Sequence, residues 1–170
     1  IKDHKIENEK INKILDLLEG YDKYGYCFDC NSDLSRKNIL NLVKAFQDFP
    51  DKKLILKFRE KRDDNIFSLE EEKRYYEFKN IIQNSKNIFY IDDELNNLDL
   101  YKLYTHFDYY ISPHLGEGYG LTIYDNMILG NKIISPFFTG ETEYLDKKSI
   151  IELPITYVDD NSSYKHTITQ

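Results

Sequence analysis

A chain of 170 residues has room for one ordinary domain whose core needs no disulfide or metal to hold it. With 41% hydrophobic and 31% charged residues it is composed like a globular protein and unlike a disordered one, and no run of about 18 apolar residues is present to span a membrane. The formal charge of −7 argues against a general affinity for nucleic acid, which needs a basic surface to meet the phosphates, and leaves room only for a local basic patch.

Residues 2–19 carry Ile6, Ile11, Ile14, Leu15 and Leu18 at helical spacing among Lys, Glu and Asn, with Gly20 as a stop, which predicts an amphipathic helix. The short aromatic-rich stretch 24–30 reads as a first strand. Residues 31–33 have turn chemistry, and Ser35 is placed to cap a helix carrying Ile39, Leu42, Val43 and Phe46 that ends near Pro50. The nearly continuous apolar run 53–58 predicts a strand buried on both faces. A charged loop, 59–65, leads to a helix over 69–84, whose inward stripe is Tyr75, Phe78, Ile81 and Ile82. A third strand follows at 87–91, then an acidic turn and a short helix with Leu100, Leu103 and Tyr104, then a fourth strand ending at Ser112.

After that strand the chain enters a loop with Gly116, Gly118 and Gly120, a helical pattern with Ile123, Met127 and Ile128 on one side, and a fifth strand over 132–134. A loop at 137–140, a short helix at 141–146 and a sixth strand at 150–153, stopped by Pro154, complete the pattern; the polar tail 159–170 is expected to fray. Strands alternating with helices in this way predict a single Rossmann-like α/β domain: a parallel sheet of about six strands, helices on both faces and right-handed crossovers. The expected organisation is a helix and linker over 1–23, the domain over 24–158 and the tail over 159–170. The only cysteines, Cys27 and Cys30, form one C-x-x-C inside an apolar run with no second ligand pair, so they read as buried or half-buried thiols in a reducing, cytoplasmic setting.

Ligands of an open parallel sheet bind outside the carboxyl ends of its strands. The residues found there are 31–37, Lys57, Arg59, 92–94, 114–120 and 137–141. Lys57 is rare inside a buried strand unless its ammonium snorkels to water or reaches an anion. Arg36 and Lys37 stand near a helix N-terminus, which disfavours cations unless an anion is bound there. Glu117 and Asp125 either serve as helix-start acids or hold the hydroxyls of a sugar and a ribose, and His114 is either a satisfied loop histidine or a donor to phosphate or sugar. The glycines follow the fourth strand and not the first, which argues against a dinucleotide fingerprint, and no Walker lysine occurs. Basic groups on the early strands and acidic groups after the fourth suit a ligand with a diphosphate at one end and hydroxyls at the other, as in a nucleotide-sugar.

The run EGYGLTIYD, continuing MILGNKIISPFFTGETEYL, resembles the donor-binding C-terminal half of a GT-B glycosyltransferase of family 4, the glycosyl transferases group 1. That family's mark is a glutamate, a glycine-aromatic-glycine-leucine turn and a second acid. The resemblance extends over residues 24–150 and takes in FDCNSDLSRKNILNLVKAFQDFP, LILKF and NIFYIDDEL. It implies a domain that binds the nucleotide-sugar donor of a retaining, hexosyltransferase-type enzyme, inactive by itself, with no metal or other cofactor. Glu117 would touch the donor sugar, Gly118, Tyr119, Gly120 and Leu121 would line sugar and diphosphate, and Asp125 would hold the ribose. Lys37, with Lys57 or Arg36, would neutralise the leaving diphosphate, and His114, Thr139 and Gly140 would complete the donor pocket. Three departures stand out: Asp125 replaces a glutamate, Ser32 stands where many relatives have an arginine, and only one of the two GT-B domains is present. The acceptor-binding half is expected before Ile1, in keeping with a first residue that is not Met. The alternative is a degenerate, non-catalytic module of the same fold. A generic nucleotide-binding domain with phosphatase or kinase-like work fits poorly, since a P-loop, a nucleophile elbow and a metal-ligand cluster are all missing from the sequence.

Overall fold

The computed structural model describes residues 5–62, 67–157 and 166–168. Its centre is a six-stranded, all-parallel sheet formed by β1 (Lys23–Asp29), β2 (Lys53–Arg59), β3 (Ile88–Ile91), β4 (Tyr109–Ile111), β5 (Lys132–Ser135) and β6 (Ile151–Glu152). The spatial order is β3-β2-β1-β4-β5-β6, so the chain moves outward from β1 in one direction and then returns to lay β4 on its other side. This reversal opens a crevice at the carboxyl ends of β1 and β4, where connections leave toward opposite edges. β2 lies between β1 and β3, which is why Leu54, Ile55, Leu56, Lys57 and Phe58 are buried in succession instead of alternating.

Side chains of a strand point alternately to its two faces, and β1 shows what covers each. Tyr24 packs on Phe46 of α3 (Ile39–Gln47), and Phe28 on Phe78 of α4 (Leu69–Asn84), with ring centroids 5.4 and 5.8 Å apart. On the other face Gly25 lies under Phe107, so closely that a Cβ there would meet the ring at 2.1 Å. Tyr104, which ends α5 (Asn97–Tyr104), packs on Phe107 and Tyr110 beside it. The N-terminal helix α1 (Glu9–Leu17) joins this core through Ile11, while Ile6 and Leu18 flank it. No described helix is long and apolar enough to cross a membrane.

The segment expected as one helix after Ser35 is broken. A four-residue turn, α2 (Leu34–Lys37), is capped by Asp33, which accepts from the Ser35 and Arg36 amides, and α3 starts only after Asn38. Asn38 sits at φ 54°, a left-handed conformation that asparagine tolerates better than most residues, and its buried amide donates to the Pro113 carbonyl at 3.1 Å. The break therefore ties α2 to the loop that precedes the glycine turn. α1 starts at Glu9 because Asn8 caps it, accepting from the Lys10 and Ile11 amides; residues 2–4 of the expected helix lie outside the described residues.

In place of a helix over 141–146 there is a short 3₁₀ turn, Gly140–Glu143, wound around a buried Glu141. The chain does not end its regular structure at Pro154: Ile155–Tyr157 pairs antiparallel with His166–Ile168 as a separate two-stranded ribbon. The rest of the polar tail, and residues 63–65 of the charged loop, lie outside the described residues.

Candidate functional site

The crevice predicted by the strand order is a cleft of about 630 Å³. Its floor comes from the ends of β1 and β2 with Cys27, Asp29, Lys57 and Arg59; α2 with Arg36 and Lys37 and the turn after β4 with Glu117, Tyr119 and Gly120 make adjoining walls, and Asp92, Glu94, Leu95 and Leu100, after β3, line it as well. Leu121 and Thr122 open the helix α6 (Leu121–Ile128), so the cleft receives the free N–H groups of a helix start. Gly120 makes this possible, because its φ of 74° turns the chain into α6 without a side-chain cap.

Lys57 is only 8% exposed, and its ammonium donates to the Phe58 carbonyl at 3.1 Å. Among the described residues it has no carboxylate within ion-pair distance. Burial drives its pKa below the ordinary 10.5, with nearby Arg59 adding to the effect and Cys27, Asp92 and Asp93 opposing it. A buried cation facing a cleft without a counter-ion is costly unless an anion supplies one.

The other three cations are engaged, Arg59 with Asp29 at 3.5 Å. Lys37 Nζ lies 2.5 Å from Glu117 Oε2, and Arg36 donates to the Gly116 carbonyl at 2.6 Å and stands 3.4 Å from the same carboxylate. The Leu115 amide donates to the Arg36 carbonyl at 2.8 Å, so α2 and the glycine turn are joined through backbone as well as side chains. In this arrangement Glu117 holds both Lys37 and Arg36. An anion entering the cleft would have to share or take them.

Of the remaining expected site residues, Asp125, His114, Thr139 and Gly140 lie outside the cleft lining, and Tyr119 lies in it. Asp125 stands on α6 after the lining residues and does not line the cleft; burial raises its pKa, and a hydrogen bond with Tyr101 of α5 works against the rise. His114 is fully buried beneath the glycine turn, 3.1 Å from Ser112 Oγ and 3.2 Å from Thr139 Oγ1. Thr139 and Gly140 support that turn from below, since the Glu117 amide donates to Thr139 Oγ1 at 3.3 Å and a Cβ on Gly140 would fall 1.4 Å from the Gly118 carbonyl oxygen. Tyr119 belongs to an aromatic trio with Tyr124 and Tyr144, and the Tyr144 hydroxyl donates to the Gly120 carbonyl at 3.0 Å.

Glu141, one of residues 137–141 after the fifth strand, is the most buried acid near the site. Burial pushes its carboxyl up, but hydrogen bonds from His114, the Thr139 hydroxyl and the amides of Thr139 and Phe138 prevail and hold it down at about 2. The sign of the consequence is fixed. A carboxyl whose folded pKa lies below its ordinary 4.5 contributes stability that is complete above pH 4.5 and is lost as pH falls toward 2, roughly 3 kcal/mol over the whole window. Urea melts between pH 6 and 2 are therefore expected to show a steeper acid loss in the wild type than in Glu141→Gln. Parallel curves would remove Glu141 from the acid response.

The fold and the cleft together define a class, a Rossmann-like half of a GT-B fold. Solved structures with this arrangement include an α,α-trehalose-phosphate synthase (UDP-forming) from Burkholderia xenovorans in complex with glucose-6-phosphate, at TM-score 0.66 and 12% identity, over 86% of this chain and 35% of that one. A trehalose-6-phosphate protein from E. coli bound with UDP-2-fluoro glucose aligns at TM-score 0.60 and 12% identity, over 80% and 34%. The N-terminal domain of a Candida albicans trehalose-6-phosphate phosphatase aligns at 0.63 and 14%, over 84% and 33%. At such identities the likeness is one of fold, and the chain spans about a third of the length of these proteins. No protein-family model and no curated protein matches the sequence.

Proposed function

We propose that this chain is the donor-binding domain of a retaining glycosyltransferase that moves a sugar from a nucleotide diphosphate sugar to an acceptor. The observation that carries the proposal is Lys57: a buried ammonium with no carboxylate in ion-pair distance among the described residues, lining the same cleft as the N-terminus of α6, at the point where the strand order reverses. The diphosphate would lie between Lys57 and the amides of residues 118–121, with Lys37 and Arg36 drawn toward it from Glu117. Glu117, freed of part of its pairing, would accept hydrogen bonds from the donor sugar. Such a site accelerates transfer by stabilising charge on the leaving diphosphate and by orienting the sugar. The similarity to an E. coli protein bound with UDP-2-fluoro glucose adds support from the fold.

Titration calorimetry of the chain with UDP, GDP and ADP, and then with the corresponding sugar nucleotides, tests this. Binding of at least one diphosphate with a stoichiometry near one, weakening steeply with salt, is expected. No heat with any of them would overturn the proposal. One observation favours the alternative of a degenerate binding module: Asp125 stands against Tyr101 instead of lining the cleft, which leaves the ribose without the acid expected to hold it. Sugar transfer by a protein containing this domain, lost on Glu117→Ala, decides for the enzyme; nucleotide binding without transfer decides for the module.

A further inference from the structure

Glu141 and His114 are fully buried under the glycine turn, and neither lines the cleft. Glu141 Oε1 accepts from the amides of Phe138 and Thr139, both at 3.0 Å. Its Oε2 accepts a hydrogen bond from the Thr139 hydroxyl and stands 3.3 Å from His114 Nε2. Thr139 has a single hydroxyl proton and gives it to Glu141, so its oxygen is left to accept, and the Glu117 amide donates to it at 3.3 Å. His114 Nε2, 3.2 Å from the same oxygen, must then carry a proton.

A neutral amide at position 141 would still accept the two backbone N–H groups. It would also offer an NH₂ donor where Oε2 now accepts, or turn its only oxygen away from one set of donors. What a buried carboxylate adds is four acceptor sites on one group, and these fix the direction of the Thr139 hydroxyl.

We propose that Glu141 is the positioning residue for Glu117: through Thr139 it anchors the Glu117 backbone amide, and so sets where the Glu117 carboxylate stands in the cleft. Its importance for sugar binding rests on the donor-site proposal above; the anchoring itself does not.

The test uses the ¹⁵N-labelled chain and variants Glu141→Gln, Thr139→Val and Thr139→Ser. Amide hydrogen exchange is followed at Glu117, with Leu56 in the buried β2 strand as an internal reference for global opening. Glu117 exchange is expected to rise at least ~10-fold relative to Leu56 in Glu141→Gln and Thr139→Val, and to return to the wild-type rate in Thr139→Ser, which keeps the hydroxyl. Unchanged exchange at Glu117 in a folded Glu141→Gln overturns the proposal, as does unchanged exchange in Thr139→Val or a loss of protection in Thr139→Ser equal to that in Thr139→Val. If Glu141→Gln unfolds, the Thr139 pair decides alone. Titration with UDP and GDP separates the two proposals: a wild type that binds neither defeats the donor site, while the exchange data still judge the anchor.

Discussion

Replacing Lys57 with methionine is expected to weaken binding of a nucleoside diphosphate by about 2 to 3 kcal/mol, roughly 30- to 150-fold, while raising the stability of the unliganded protein. The two effects have one cause. Lys57 keeps a charge inside a strand whose neighbours Leu56 and Phe58 are fully buried, no carboxylate among the described residues stands within ion-pair distance, and Asp92 and Asp93 offset the cost of burial only in part. In the free protein that charge opposes folding, and methionine, of similar length and apolar, removes the opposition. In the proposed complex the same ammonium would meet the diphosphate where little water competes, so its loss should be felt in full.

The pH dependence separates this from a simple packing effect. Burial lowers the pKa of Lys57, so between its folded value and 10.5 the unfolded chain holds a proton that the folded one has released. Wild-type stability is therefore expected to gain a rising contribution with pH through that window, which Lys57→Met lacks. Below the folded value both states are protonated and the cost of the buried charge is present in full. Thermal melts at pH 7 and 10, read with calorimetry at pH 7, check both halves. Wild-type affinity in Lys57→Met would eliminate this lysine as the diphosphate contact.

The strand pattern carried most of the fold because each strand is either a continuous apolar run, as in β2, or a short aromatic stretch between turn residues, as in β1. Helix α4 was equally legible, with Ser68 and Glu71 forming a reciprocal cap at its start. What escaped was decided by contacts distant in sequence. The kink at Asn38 exists because its side chain bonds to Pro113, 75 residues away, and nothing local distinguishes it from an ordinary helical asparagine. The ribbon of Ile155–Tyr157 with His166–Ile168 joins segments too short and too polar on average to signal a strand.

The site divided along the same line. Lys57, Arg36, Lys37 and Glu117 were legible as charges at strand ends and at a glycine turn, and the structure gathers them in one cleft. His114, Thr139 and Gly140 were legible as positions but not in direction: they face the underside of the turn. Glu141 was legible only as one of residues 137–141 after a strand, with no role of its own, because an acid in a short polar segment looks solvated, and only its enclosure by Thr139, Phe138 and His114 shows otherwise.

The glycines make the same point, and yield the second large expected effect. Gly116, Gly118 and Gly120 attract attention in the sequence, yet a Cβ on Gly118 would meet nothing within 4 Å, and Gly118 does not have a positive φ. Gly140 lies outside that motif, and there a Cβ would be 1.4 Å from the Gly118 oxygen, 2.5 Å from its carbonyl carbon and 3.3 Å from Tyr119 Cα. These are backbone atoms, so no change of rotamer relieves the overlap; one turn must move away from the other. Gly140→Ala is accordingly expected to cost about 1 to 3 kcal/mol of stability. It should also lower nucleotide affinity at least ~10-fold, because the displaced turn carries Glu117 and the amides of residues 118–121 with it. Gly118→Ala, made in the same segment, should retain both stability and fold and serve as the control. Urea midpoints of the two variants give the stability comparison and calorimetric titration of Gly140→Ala against the wild type gives the affinity; equal midpoints for the two variants would mean that the two turns do not meet as described.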